Sequence, residues 1–328
     1  MAQGGQSRAE LTTKLLLVAG AASGGFAFVV GHLAVATTGP ATLATWRYVL
    51  AIAGFALLVV ATRTPWQRPS RADALRIAGM GLAIVAGYNL LFLWGLRLAP
   101  ASDGGLIVPG SAPTWSILLG WLLLRERPSR RALAGSAVAA AGIAVIFGAV
   151  GGFGHSSSTR IQGDLLYLAG GSMWGILNVL ARGLRGRVNT LVANTYAAAL
   201  GLVILAPLAI VTERSSLAAS FSLTTLWQAG YLAAFATVLL LYANVRGATR
   251  LGVPRAAPFA YVAPVAAVLG GILVLHESVS TVVLLGGAIA LAGTFAATTH
   301  VGVGVGLRLL PARRGGAARS AAEGPSKA

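Results

Sequence analysis

The sequence predicts an all-α membrane protein, with ten transmembrane helices arranged as two inverted five-helix repeats. Three observations predict it. Apolar runs of about 20 residues, the length that crosses a hydrocarbon core as a helix, follow one another along the chain. The basic residues fall almost entirely in alternate connections. A pattern of Pro, Glu and Ser in the first half returns 151 residues later in the second.

Composition sets the class. Of 328 residues, 56% are hydrophobic and 10% are charged, against about 25% charged in a soluble domain. Mean hydropathy is +0.77, so much of the surface must face a lipid bilayer. The formal net charge is +17, from 25 Lys+Arg and 8 Asp+Glu. Such an excess can mark a nucleic-acid binder. Here the basic residues sit between apolar runs, as in loops at a cytoplasmic face, and no nucleic-acid partner is expected. The chain has no Cys, which excludes disulfides, thiol catalysis and Cys-ligated metals.

The apolar runs lie near 14–35, 41–62, 74–96, 104–124, 130–149, 164–182, 190–211, 225–245, 256–275 and 280–299. Each must be helical, because lipid offers the backbone no hydrogen-bond partner. The first follows Arg8 and Lys14 and ends near Ala34-Val35-Ala36, which resembles a signal-peptidase site. It is too long for a signal-peptide core and long enough to span. Turn-rich connections separate the others: Thr37–Pro40, Thr62–Ser70, Arg125–Ser129 and Gly151–Gly163. The weakly polar stretch 212–225 divides the seventh run from the eighth. The organisation expected is an N-terminal cytoplasmic tail over 1–13, a first repeat over 14–150, a second over 163–300, and a basic, disordered cytoplasmic tail over 301–328, Gly/Ala/Arg-rich from Arg308.

Charge fixes the expected orientation. With the N-terminus in the cytoplasm, alternate connections collect 21 of the 25 basic residues, among them Arg63, Arg68, Arg125, Arg127, Arg187 and Arg250. The opposite side holds Arg97, Arg160 and Arg214, and Arg47 falls inside the second run. This bias implies that both termini are cytoplasmic and that the number of spans is even.

The repeat supplies the halves. A shift of 151 residues superposes Ala112-Pro113 on Ala263-Pro264, Gly120 on Gly271, Leu124 on Leu275 and Glu126 on Glu277. It also superposes Ser129 on Ser280, Gly135 on Gly286 and Ala141-Gly142 on Ala292-Gly293. Five helices per half is an odd number, so the halves are inverted. The loop around Glu126 carries four Arg and its counterpart around Glu277 none. Pro109 and Pro113 interrupt the fourth helix and Pro258 and Pro264 the ninth. Interrupted helices in matching positions of inverted repeats are a transporter design, with the freed backbone groups beside a cavity.

This pattern, Ala-Pro, Gly, then Leu-x-Glu-x-x-Ser, Gly and Gly, resembles the tandem EamA-type repeat of the drug/metabolite transporter superfamily, over about residues 14–299. Pro40 with Trp46-Arg47 is similar to the family's second-helix pattern, and Trp174-Gly175 to its Trp-Gly pair. The first half departs, with Gly24 at the matching position. The resemblance implies ten helices in a bacterial inner membrane. It also implies secondary export or exchange of a small metabolite, such as an amino acid, or a drug, through a central cavity by alternating access.

Candidate residues follow from cost. Arg47 is the one cation deep in an apolar run and either forms a structural pair or binds a substrate carboxylate. Tyr88, Asn89, Trp94, Ser111, Trp115, Trp174, Asn178, Tyr242, Asn244 and Tyr261 are polar or aromatic residues within runs. Each either bonds a neighbouring helix, sits in the interfacial belt, or lines the cavity. Glu126 and Glu277 precede the fifth and tenth helices, where an acid favours the dipole and Ser129 and Ser280 serve as caps; the other reading is gating or coupling. No Asp or Glu lies mid-membrane, so coupling through a buried carboxylate has no support. Gly302-Val303-Gly304-Val305-Gly306 lacks the Gly-Lys-Ser/Thr of a phosphate loop, and no metalloprotease or serine-hydrolase motif is present. Neither cofactor nor metal is expected. The alternatives are a lipid-handling protein or multi-span enzyme, and, within the superfamily, a nucleotide-sugar carrier. The latter calls for basic residues along the cavity, where only Arg47 is available.

Overall fold

A computed structural model describes residues 2–152, 158–184 and 186–298. It contains ten helices long and apolar enough to span: α1 (Ala2–Val35), α2 (Pro40–Ala61), α3 (Arg71–Leu98), α4 (Ala101–Leu124), α5 (Arg130–Gly152), α6 (Ser158–Gly183), α7 (Thr190–Thr212), α8 (Leu223–Arg250), α9 (Val253–Val274) and α10 (Thr281–Thr298). Helix α1 starts at Ala2, and its candidate span at Arg8, so part of the segment expected as an N-terminal tail is helical ahead of the span. A short helix, Arg214–Ala219, occupies part of the stretch before α8. The expected C-terminal tail and residues 153–157 lie outside the described residues.

Local chemistry starts these helices. Ser70, Asn189 and Ser222 cap α3, α7 and α8 by accepting a hydrogen bond from an N–H in the first turn. Ser129 Oγ accepts from Ala132 N at 3.1 Å and Ser280 Oγ from Val283 N at 3.3 Å, the two caps expected from the repeat. Pro40 and Pro254 stand in the first turns of α2 and α9, where no N–H is needed.

In lipid, small residues let helices approach closely, and the repeat's glycines do so reciprocally. Gly135 of α5 packs on Gly293 and Ala297 of α10, and Gly142 packs on Gly286 and Ala290. The 151-residue shift carries Gly135 to Gly286 and Gly142 to Gly293, so one local twofold contact uses all four motif glycines. Gly25 of α1 lies against the Ala263 backbone of α9, and its counterpart Gly175 of α6 lies against Trp115 and Ser116 of α4.

The proline expectation divides. Pro258 falls in a 3-10 turn, Ala257–Tyr261, and Pro264 in the α-helix that follows. Pro109 and Pro113 sit within α4, which remains α-helical over its full length. Two departures lie elsewhere, in matching places: π turns at Leu82–Tyr88 in α3 and Ala234–Leu239 in α8.

Candidate functional site

A cavity of about 360 Å³ runs from the middle of the bundle toward the end that bears the Arg-rich connections, where Ala181, Thr190, Ala248 and Val253 line it. A smaller cavity of about 160 Å³ adjoins it deeper in the bundle, lined by Pro109 and Pro264 among others. Arg47, Tyr88 and Trp174 line both. No residue from the connections at the opposite end lines either one.

Arg47 is only 6% exposed, yet its charge is held. Nε donates to Thr237 Oγ1 at 3.0 Å and Nη1 to Asn89 Oδ1 at 3.0 Å. Both acceptors are set by the π turns, whose wider coil leaves a carbonyl outside the regular ladder. Asn89 Nδ2 donates to Ile84 O at 2.6 Å and to the Tyr48 hydroxyl at 3.0 Å. Thr237 Oγ1 donates to Leu232 O at 2.8 Å. One π turn from each half thus steadies one guanidinium, and the Tyr48 ring lies 5.7 Å from its carbon. Nη2 has no protein hydrogen bond among the described residues. Arg47 is the one charged side chain among the residues lining the two cavities. Around it the walls are apolar and aromatic, with Tyr88 edge-on to Trp174 at 5.6 Å and stacked on Phe92 at 5.4 Å. Such a cavity can hold an apolar body with one anionic end.

Of the sequence candidates, Arg47, Tyr88, Trp174, Asn178 and Asn244 line the larger cavity. Asn89 stands behind Arg47. The remaining candidates lie elsewhere. Trp94 is largely exposed and holds Arg97 over its ring at 5.2 Å. Ser111 is buried and donates to Val108 O at 3.3 Å, and Trp115 packs on Gly175. Tyr242 accepts from Arg246 at 3.0 Å, and Tyr261 meets Phe295 edge-on at 5.7 Å. Polarity alone could not sort these, because a helix shows its polar residues to neighbours and to lipid headgroups as well as to a cavity. Tyr48, Thr237 and Asn194 were missed. The signal for Tyr48 was adjacency to Arg47; for Thr237 it was a hydroxyl in the helix matching the third.

Asp73 and Asp103 stand in the first turns of their own helices, whereas Glu277 and Glu213 each cap a different helix. Glu277 accepts from Ala101 N at 2.7 Å and Ser102 N at 3.0 Å, capping α4 rather than favouring α10. Glu213 caps α2 in the same way, accepting from Ala41 N at 3.2 Å and Thr42 N at 2.8 Å. Asp103, fully buried, takes a two-pronged bond from Arg160 at 2.8 and 3.1 Å, with the buried Asp164 nearby. These contacts close the end opposite the Arg-rich connections. No group of three potential metal ligands occurs among the described residues.

Comparison with known proteins agrees with this architecture. The model of the EamA-like transporter family matches residues 11–148 and 161–299. A probable terminal-alkyne amino-acid exporter of Streptantibioticus cattleyicolor is 31% identical over 246 residues, covering 74% of this chain and 80% of that one. The transporter YyaM of Bacillus subtilis is 25% identical over 249 residues, covering 74% and 81%. A solved crystal structure shares the fold with a TM-score of 0.60 at 20% identity, over 88% of this chain and 96% of that one. With ten spanning helices, a tandem repeat and family matches across both halves, the chain belongs to the EamA-like transporter family.

Proposed function

We propose that the chain exports a small organic carboxylate, an amino acid with an apolar side chain, across the bacterial cytoplasmic membrane by alternating access and without ATP. The observation that carries this reading is Arg47. A lone buried cation is costly in a membrane and is kept where it has partners or a function. Its protein partners here are neutral and leave Nη2 free, so a substrate carboxylate supplies the missing charge and a strong hydrogen bond. The aromatic walls formed by Tyr88 and Trp174 suit an apolar body, and the volume falls within the usual range of small-molecule sites, roughly 300–1,000 Å³. The exporter of S. cattleyicolor is named for an amino acid of that kind. The Arg-rich end is the cytoplasmic one on charge bias, so the cavity faces cytoplasmic cargo. A nucleotide-sugar carrier needs several cations for a diphosphate, and the cavities offer one.

Counterflow in proteoliposomes tests the reading. Radiolabelled apolar amino acids are taken up against an internal load of the same compound, while their methyl esters are not. Uptake of no carboxylate in a broad panel, or equal uptake of acids and esters, overturns it. A dye-based scrambling assay on the same liposomes detects lipid movement, the outcome expected of a lipid-handling protein.

A further inference from the structure

The repeated Leu-x-Glu-x-x-Ser motif builds the same turn twice. Arg125 and His276, 151 residues apart, each precede the motif Glu and each hold a left-handed φ of 55°. A side-chain-bearing residue adopts that conformation at a cost, and such strain persists where surrounding structure requires it. Glu126 N–H donates to Gly120 O at 3.3 Å, and Glu277 N–H donates to Gly271 O at 3.0 Å. In each copy the carboxylate folds back over the matching glycine: a Cβ on Gly120 would lie 3.0 Å from Glu126 Oε2, and one on Gly271 would lie 2.5 Å from Glu277 Oε2.

The two carboxylates differ in what they hold. Glu277 grips Ala101 N and Ser102 N, so the end of α9 is tied to the start of α4, and Gly105 packs directly on Ala267 behind the tie. Glu126 is 52% exposed, with Arg182 Nη1 3.5 Å away. The repeat shift carries Ala101 and Ser102 to Gly252 and Val253, which open α9 with no side-chain cap. Val253 lines the mouth of the cavity. The structure is therefore tied at one end and open at the other, with both turns formed.

We propose that Glu126 and Glu277 are a pair of alternating latches. When the Arg-rich end closes, Glu126 accepts the Gly252 and Val253 N–H groups. When the opposite end opens, Glu277 releases those of Ala101 and Ser102. Each latch satisfies two orphan N–H groups with charge-assisted bonds and sets a negative charge at a helix N-terminus. Because each state engages one latch and frees the other, the exchange keeps the two states close in free energy. The inference rests on alternating access, and it is tested without a substrate.

The chain contains no Cys, so single cysteines report water access cleanly. Ala248→Cys sits part-buried in the open cavity, and Ser102→Cys sits buried at the tied end. Labelling by a water-soluble maleimide is followed on protein in nanodiscs, where both faces are accessible. Glu277→Gln is expected to slow labelling at Ala248→Cys and speed it at Ser102→Cys, so that the ratio of the two rates changes by about tenfold, the value of one strong hydrogen bond. Glu126→Gln leaves the first as fast as in the parent, and the double variant returns both toward parent rates. No change with Glu277→Gln, or labelling that rises at both positions as for a simple structural lesion, overturns the latch. Intact carboxylate counterflow beside unresponsive labelling sinks the latch alone, whereas switched labelling without flux of any carboxylate sinks the proposed cargo alone.

Discussion

Replacing Arg47 by Ala tests the site most directly. Two of the guanidinium's nitrogens are committed to Thr237 and Asn89, and Nη2 is left for cargo. A charge-assisted hydrogen bond contributes about 1.5–3 kcal/mol, and about 1.4 kcal/mol is a factor of ten. Arg47→Ala is therefore expected to raise the half-saturation concentration for a carboxylate substrate by about ten- to a hundredfold. The methyl ester has no negative charge to pair with the guanidinium and loses less, so the acid-over-ester preference collapses. The change also leaves Asn89 Oδ1 without its donor, although Asn89 Nδ2 keeps Tyr48 and Ile84. An unmet buried acceptor costs about 1–3 kcal/mol, which appears as a lower melting temperature in detergent. Counterflow on equal amounts of folded protein separates the two effects. If Arg47→Ala impairs acid and ester alike, or neither, Arg47 is a structural ion and the carboxylate assignment fails.

Other changes give distinct outcomes. Thr237→Val removes the Nε acceptor and is expected to weaken carboxylate transport about fivefold, the worth of about 1 kcal/mol, while sparing ester binding, as counterflow would show. Gly286→Val places a Cβ 2.8 Å from Gly142 O and 2.9 Å from Ile146 Cγ1; overpacking of this kind costs about 1–3 kcal/mol, read by thermal unfolding, while Gly148→Ala, with nothing within 4 Å, is tolerated. Arg160→Leu strands the buried Asp103 carboxylate, a loss of about 3–5 kcal/mol for a broken buried pair, and a double replacement of both residues by Leu melts higher than the single one.

The fold was legible because lipid leaves the backbone few choices. Runs of sufficient length must be helices, and the ten runs correspond to the ten helices long and apolar enough to span among the described residues. The repeat was legible through Pro, Glu and Ser, whose roles in caps and bends do not survive random substitution. Helix contacts were not. That Gly142 meets Gly286, or that Gly25 meets Ala263, depends on which face each helix turns inward, and an all-apolar helix gives no stripe to read. The π turns were invisible for a similar reason: Leu82–Tyr88 has ordinary helix-compatible residues, and the carbonyl that Asn89 takes is released only once the helix is packed. Glu277 was placed on the right turn and given the wrong partner, because its target, Ala101, is 176 residues away in sequence.

The frame is symmetric, and the site is not. The repeat shift of 150 takes Arg47 to Ala197, and a shift of 151 takes Thr237 back to Ala86 and Asn89 on to Leu240. Each half thus contributes a π turn, but a different hydrogen-bonding side chain follows from each, and one half alone contributes the charge. Two buried arginines in the cavities would each need partners, and one carboxylate could not serve both. In the proposed cycle, exchange between states asks only that the elements which move be equivalent: the α4 and α9 termini and the glutamate turns. In the proposed cycle, cargo recognition asks that the same side chains meet the substrate in both states, which a residue held from both halves can do without a copy. Arg47 meets that condition, held from α3 on one side and α8 on the other. The proposed cycle therefore needs one arginine for cargo, where the second half has Ala197, and both glutamates for movement.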